Sequence, residues 1–209
     1  MDIQKFIISR PYLYHLTSSQ NADNISSTKS LFSANTLIDM TNDESLQGVK
    51  RARRAEHQTI VIGENTFFLR DQRPISEKAL AKCLTNNWSV GDFLFHLNDR
   101  VFMWPTLDRL WKHFTRYEQE RPIIFRFSTS DIIEANPHVK FCRLNSGATR
   151  PSSYLGGIAP LRGAESFVVA DQFDRQVRDV AEVTFENECK IAGPIWSSAR
   201  PDGDFHQMN

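Results

Sequence analysis

The chain is expected to fold as an α+β protein with a mostly antiparallel, curved or split sheet. Short β-branched and aromatic runs such as Thr59–Ile62 and Pro122–Phe127 are mixed with short helical patterns in no regular βαβ alternation. There is no internal repeat and no low-complexity tract. The composition, 40% hydrophobic and 24% charged over 209 residues, is that of an ordinary globular domain long enough to bury a core. One domain is expected over residues 1–196. Residues 197–209 are polar, carry Pro201 and Gly203, and show no hydrophobic pattern, so they are expected to form a flexible tail.

Taken in order, Tyr12–Thr17 reads as a short buried strand, and Ser18 or Ser19 caps a helix through Ile25. Leu31–Ile38 has near-helical apolar spacing, and the polar run Asp43–His57 reads as a further helix. Thr59–Ile62 and Thr66–Arg70 flank a Gly63-Glu64-Asn65 turn, which predicts a hairpin. Ser76 and Glu77 open a helix that stops at Asn86-Asn87, and another runs from about Val90 to Leu97. Arg100–Trp104 is a strand closed by Pro105. A helix follows from Thr106 or Asp108 to Tyr117, then the strand Pro122–Phe127, a helical turn over Asp131–Glu134 capped by Ser128 or Ser130, and the strand Val139–Cys142. The stretch Asn145–Gly163 is rich in turn formers and too long for a plain connector; such loops are commonly functional or disordered. Glu165–Val169 reads as a short strand or helix start, Asp171–Val180 as an amphipathic helix, and Val180–Phe185 as a late strand.

Several function classes fall away. The 25 basic and 25 acidic residues cancel, so no global field recruits nucleic acid or a membrane. Cys83, Cys142 and Cys189 are far apart and odd in number, which argues against a disulfide framework or a structural zinc site. The N-terminal residues lack a signal-peptide pattern and no segment approaches the ~20 apolar residues of a membrane span, so a cytoplasmic location is expected. Phosphate-cradling glycine motifs, H-E-x-x-H and G-x-S-x-G are all missing, and the six histidines never fall at metal-ligand spacing.

A scattered constellation remains. His15 sits on a strand two residues before the Thr17 hydroxyl, as a binding-site residue or as a satisfied core histidine. Arg100 opens an aromatic strand that carries Phe102 and Trp104. Glu182 lies within the late strand, on the face of Val180 and Thr184; periodicity alone would turn it to solvent. Lys50, Arg51, Arg53 and Arg54 cluster as a solvated helix face or a phosphate-contacting patch.

Tyr14-His15-Leu16-Thr17, followed by a helix and Leu31-Phe32-Ser33-Ala34-Asn35-Thr36-Leu37, resembles the first motif of ADP-ribosyltransferase-fold proteins. Among these it is similar to DNA-directed ADP-ribosyltransferase toxins and RNA 2′-phosphotransferases. Leu69-Arg70-Asp71-Gln72-Arg73-Pro74, Leu97–Phe102, Leu144-Asn145-Ser146-Gly147 with Pro151, and Arg162-Gly163 with Phe167 resemble the motifs of a largely uncharacterised bacterial family placed in that fold, across residues 11–192. The resemblance implies a split sheet and NAD as co-substrate. It implies that His15, with Tyr14 and Thr17, anchors the adenosine-side ribose, that Phe102 or Trp104 stacks on nicotinamide, and that Arg100 pairs with the pyrophosphate or orients the carboxylate. Glu182 would hold the nicotinamide-ribose hydroxyl and offset the charge of an oxocarbenium-like transition state, with Glu165 as rival. Asn145 and Arg162 lie where an acceptor would be met, or serve as turn chemistry.

The pattern departs from arginine-specific toxins, since no Glu-x-Glu or Gln-x-Glu pair ends at Glu182. The implied function is a mono-ADP-ribosyltransferase acting on a macromolecule. A nucleic acid held through Lys50–Arg54 and Arg143 or Arg150 is one acceptor. A toxin or phage-defence role with an antitoxin partner is one setting. NAD hydrolysis, or a silent nucleotide- or protein-binding member of the fold, are the alternatives.

Overall fold

The computed structural model describes residues 1–208, and at Tyr154 the backbone alone. Helix α1 (Ile3–Ser9), capped by Asp2, leads into strand β1 (Tyr12–Thr17). Ser18 caps α2 (Ser19–Thr28), which ends at Lys29 in a left-handed conformation. The segment expected as one amphipathic helix divides into strand β2 (Ser30–Phe32) and helix α3 (Ala34–Met40), because the Ser33 hydroxyl accepts the Thr36 N–H and starts the helix there. The polar run after it forms a 3₁₀ helix over Glu44–Arg51 and is extended or turning beyond.

Strands β3 (Gln58–Ile62) and β4 (Asn65–Leu69) make the expected hairpin. Helix α4 (Glu77–Leu80) is a single turn, α5 spans Val90–Asn98, and β5 spans Arg100–Met103. Thr106 caps α6 (Leu107–Phe114); β6 (Ile123–Ser128), α7 (Thr129–Ala135) and β7 (Lys140–Cys142) follow. The chain then runs without long elements to β8 (Glu182–Glu186) and β9 (Glu188–Lys190), and closes with β10 (Trp196–Ser198) and β11 (His206–Gln207).

The fold is α+β, and the named strands pair antiparallel throughout. One sheet has the order β1-β6-β10-β11 and a second the order β5-β8-β7. Between them Tyr14 and Trp104 exchange two backbone bonds of 2.9 and 2.8 Å before β1 and β5 diverge. Apolar residues from both sheets, including Leu13, Phe125, Met103, Val183 and Phe185, share one core with Phe6 of α1 and Ile25 of α2. A second cluster joins Leu16, Trp104 and Ile124 to Leu110, Phe114 and Tyr117 around α6. A third places α5 over the opposite face of β5 and β7 through Leu94, Phe167 and Cys142.

Besides these, the helix expected from Glu77 to Asn86 stops at Leu80, and two further expectations need correction. The helix expected over Asp171–Val180 is replaced by short 3₁₀ turns at Ala170–Gln172 and Val177–Asp179. The Asp179 carboxylate accepts the Gln176 N–H at 3.2 Å, a side-chain contact that competes with a continuous helical ladder. The expected flexible tail instead adds β10 and β11 to the first sheet. The guanidinium of Arg126 on β6 lies against the rings of Trp196, at 5.1 Å, and Phe205, at 4.6 Å. A cation stacked between aromatic rings holds the segment, and hydropathy does not register that contact.

Candidate functional site

A cleft of about 990 Å³ opens where the two sheets part. Its walls come from His15–Ser18, the Phe67–Ile75 stretch, Arg100–Phe102 with Trp104, Lys112, His113, Arg116 and Tyr117 at the end of α6 and just beyond it, the loop Asn145–Ser152, and Glu182. A volume at the upper end of the ordinary ligand-pocket range suits an extended ligand.

His15 stands at one wall. Its Nδ1 lies 2.9 Å from the carbonyl of Phe102. A carbonyl only accepts, so Nδ1 carries the proton and Nε2 of the neutral ring is an acceptor. Burial, followed by the nearby Arg70 charge acting against the Phe102 hydrogen bond, brings this imidazole down to about 4. At neutral pH His15 is therefore an uncharged acceptor on a strand edge, suited to a ligand hydroxyl. Thr17 lies on the same face of β1, and its hydroxyl meets the Asn21 amide at 3.4 Å. Tyr14 alternates to the other face, packs on Phe205 and lines none of the cleft.

Glu182 stands at another wall, only 4% exposed. Periodicity alone would turn it to solvent with Val180 and Thr184, but that face is covered by α5, Phe167 and the Asn145–Ser152 loop. Its Oε2 accepts the Ser146 N–H at 2.8 Å. Burial raises the carboxyl to about 7, against the lowering pull of Ser146, Arg162 and Arg109. Its titration is thereby brought from the ordinary carboxylate range toward neutrality. The rival Glu165 sits exposed in a short 3₁₀ turn and lines no part of the cleft.

The aromatic and cationic residues fill the space between. Phe102 lines the cleft with its ring edge toward Phe167, and Trp104 stacks on His113 at 4.6 Å. Burial, with Arg70 and Arg116 adding to it, holds His113 down to about 3, so it too is uncharged at neutral pH. Arg54, Arg70, Arg73, Arg100, Lys112, Arg116 and Arg150 line the cleft against the carboxylates Asp71 and Glu182, and Asp71 is tied to Arg73 at 2.7 Å. The balance is cationic and favours an anionic ligand. Arg70 stacks over the Tyr117 ring at 4.2 Å, and its two terminal nitrogens are buried without a hydrogen-bond partner among the described residues.

Arg100 lines the cleft, and its Nε and Nη1 are buried without a hydrogen-bond partner among the described residues. It pairs in register with Glu186, and its guanidinium meets that carboxylate at 3.3 Å and the Phe167 ring at 4.6 Å. Glu186 lies four residue steps along β8 from Glu182, a distance of roughly 13 Å, so Arg100 does not meet the Glu182 carboxylate. The cationic run is absorbed as well. Lys50 pairs with Asp39 and Arg51 with Asp92, while Arg53 donates to the Gln72 and Arg73 carbonyls and Arg54 to Asn98. These four residues therefore form no free phosphate-contacting stripe. Asn145 is exposed at the cleft rim, as a contacting residue would be.

Arg70, His113 and Ser146 were assigned no role from the sequence. The spacing of Leu110, His113, Phe114 and Tyr117 on one helical face carried a signal for His113. Ser146 acts through its backbone, which residue identity does not announce.

The chain matches the model described as "Family of unknown function (DUF7002)" over residues 11–192, and it belongs to that family. No curated protein and no solved structure matches it. Among the described residues no helix is long and apolar enough to cross a membrane.

Proposed function

We propose that the chain is a NAD-dependent mono-ADP-ribosyltransferase, with the cleft between its sheets as the NAD site. The observation that carries this reading is the pairing of an uncharged acceptor, His15, with a nearly buried carboxyl that titrates near neutrality, Glu182, on the walls of one cationic cleft. The residues fit a dinucleotide. His15 Nε2 suits a ribose hydroxyl, Arg70, Arg116, Arg150 and Lys112 suit the pyrophosphate, and Phe102 supplies an aromatic ring on the cleft wall. NAD supplies a ribose–nicotinamide bond whose cleavage builds positive charge on the ribose. Glu182 offsets that charge as its carboxylate, and the covered face of β8 keeps water from screening it.

The acceptor is proposed to be a macromolecule. Lys112, Arg116 and Arg150 are exposed at the rim and form no ion pair among the described residues, which supports a polyanion such as a nucleic acid. Adenine-labelled NAD incubated with DNA, RNA or cell lysate tests the reading. Label on a macromolecule that is lost in Glu182→Gln is expected. Free ADP-ribose alone would make the enzyme a NAD hydrolase, and absence of Glu182-dependent turnover would refute both. Growth inhibition on expression, relieved by Glu182→Gln, is the expected sign of a toxin or phage-defence role.

A further inference from the structure

Arg162 is the largest of the fully buried side chains, 2% exposed. A guanidinium in that position is costly, because its charge is taken out of water. Its hydrogen-bond acceptors are carbonyls: Nε and Nη2 donate to Ala148 O at 2.9 and 2.7 Å, and Nη2 also donates to Asn145 O at 2.8 Å. An aliphatic side chain would fill the same volume without that desolvation cost, so packing alone does not account for an arginine here.

The backbone of Arg162 is anchored on the other side. Its N–H donates to Cys83 O at 2.7 Å, and its carbonyl accepts the Thr85 N–H at 2.8 Å. Next to it, Gly163 leaves no room for a side chain, since a methyl there would overlap the Thr85 hydroxyl. The guanidinium therefore reaches from a held strand-like bridge to the turn Asn145–Ala148, which Ala148 N closes on Asn145 O at 2.8 Å. That turn presents the Ser146 N–H to Glu182 Oε2.

We propose that Arg162 is a positioning residue that braces the Asn145–Ala148 turn and so aims the Ser146 N–H at the Glu182 carboxylate. The importance of the contact rests on the reading of Glu182 as the acting carboxylate; the brace itself does not. The charged and titratable groups around Glu182 are Cys142 on β7, Arg162, and Arg109 on α6. Cys142 is pushed up to about 11 by burial, and leaves Glu182 as the group that ionises near neutrality.

The test is a pH titration of the Ser146 amide proton by NMR in the full chain, with Glu182→Gln as control. In the wild type the amide should shift with a midpoint near that of Glu182, and the shift should vanish in Glu182→Gln. Arg162→Gln should cut its amplitude by at least half while amides of β1 and β6 stay in place. Arg162→Lys, which keeps a charge but has no fork to reach both carbonyls, should keep an intermediate amplitude. An unchanged titration in Arg162→Gln, or none in the wild type, overturns the proposal. If Arg162→Gln fails to fold, Arg162→Lys decides, and an unchanged amplitude there overturns it. A protein that shows the Arg162-dependent titration but never releases nicotinamide keeps the brace and loses the transferase reading. One that turns NAD over with an Arg162-independent titration does the reverse.

Discussion

Glu182 is the residue on which chemistry and stability meet. Its carboxyl is raised from 4.5 to about 7 by burial. Between those values the folded chain holds a proton that the unfolded chain has released, so this group's stabilising contribution is present below 4.5 and lost as pH rises through 7. A shift of that size is worth roughly 3 kcal/mol. Glu182→Gln, which stays neutral, should therefore raise stability in urea by up to about 3 kcal/mol at pH 8 and leave it nearly unchanged at pH 4. On the proposed mechanism the carboxylate is the acting form, so nicotinamide release should climb with pH around a midpoint near 7. His15 and His113 act in the opposite sense: both are held below 6.5, and the stability they contribute above that value is lost as pH falls toward 4 and 3. His15→Ala should weaken NAD binding about tenfold, measured by calorimetry, with a cooperative melt retained. His15 was legible as a candidate because it interrupts an aromatic strand. The burial of Glu182 was not, because alternation reports faces of a strand and says nothing of a loop that returns from forty residues away to cover one of them.

At the scale of elements, the strands with dense β-branched and aromatic runs and most helices with hydroxyl caps are where the sequence read them; the helix after Ser76 is one turn, and Ser33 starts a helix that was expected to begin earlier. Ser18, Ser89, Thr106 and Ser128 each accept a backbone N–H at the helix start beside them. What local pattern missed is held by distant partners: β10 and β11 by the Arg126 stack, and the Asn145–Gly163 loop by Arg162. Each has a test. Phe205→Ala removes a half-buried ring from that stack and should cost about 2 kcal/mol, seen as a melting point lower by about 4–8 °C. Gly163→Ala should destabilise by about 1–3 kcal/mol through its overlap with Thr85, and adding Thr85→Ala should recover most of that loss. A recovery that fails would place the strain elsewhere in the loop.

For the whole molecule, two antiparallel sheets joined at Tyr14 and Trp104 and then parting create a cleft whose walls come from both ends of the chain. No single motif specifies that cleft; β1, β5 and β8 must first be brought into register. The central claim is that this cleft cleaves NAD with Glu182 as the acting carboxylate. Nicotinamide release from NAD, followed at pH 8 for wild type and Glu182→Gln under conditions where both are folded, tests it most directly. A wild-type rate that falls at least a hundredfold in the variant is predicted. Equal rates in the two proteins, or no release by the wild type with any acceptor supplied, would contradict it.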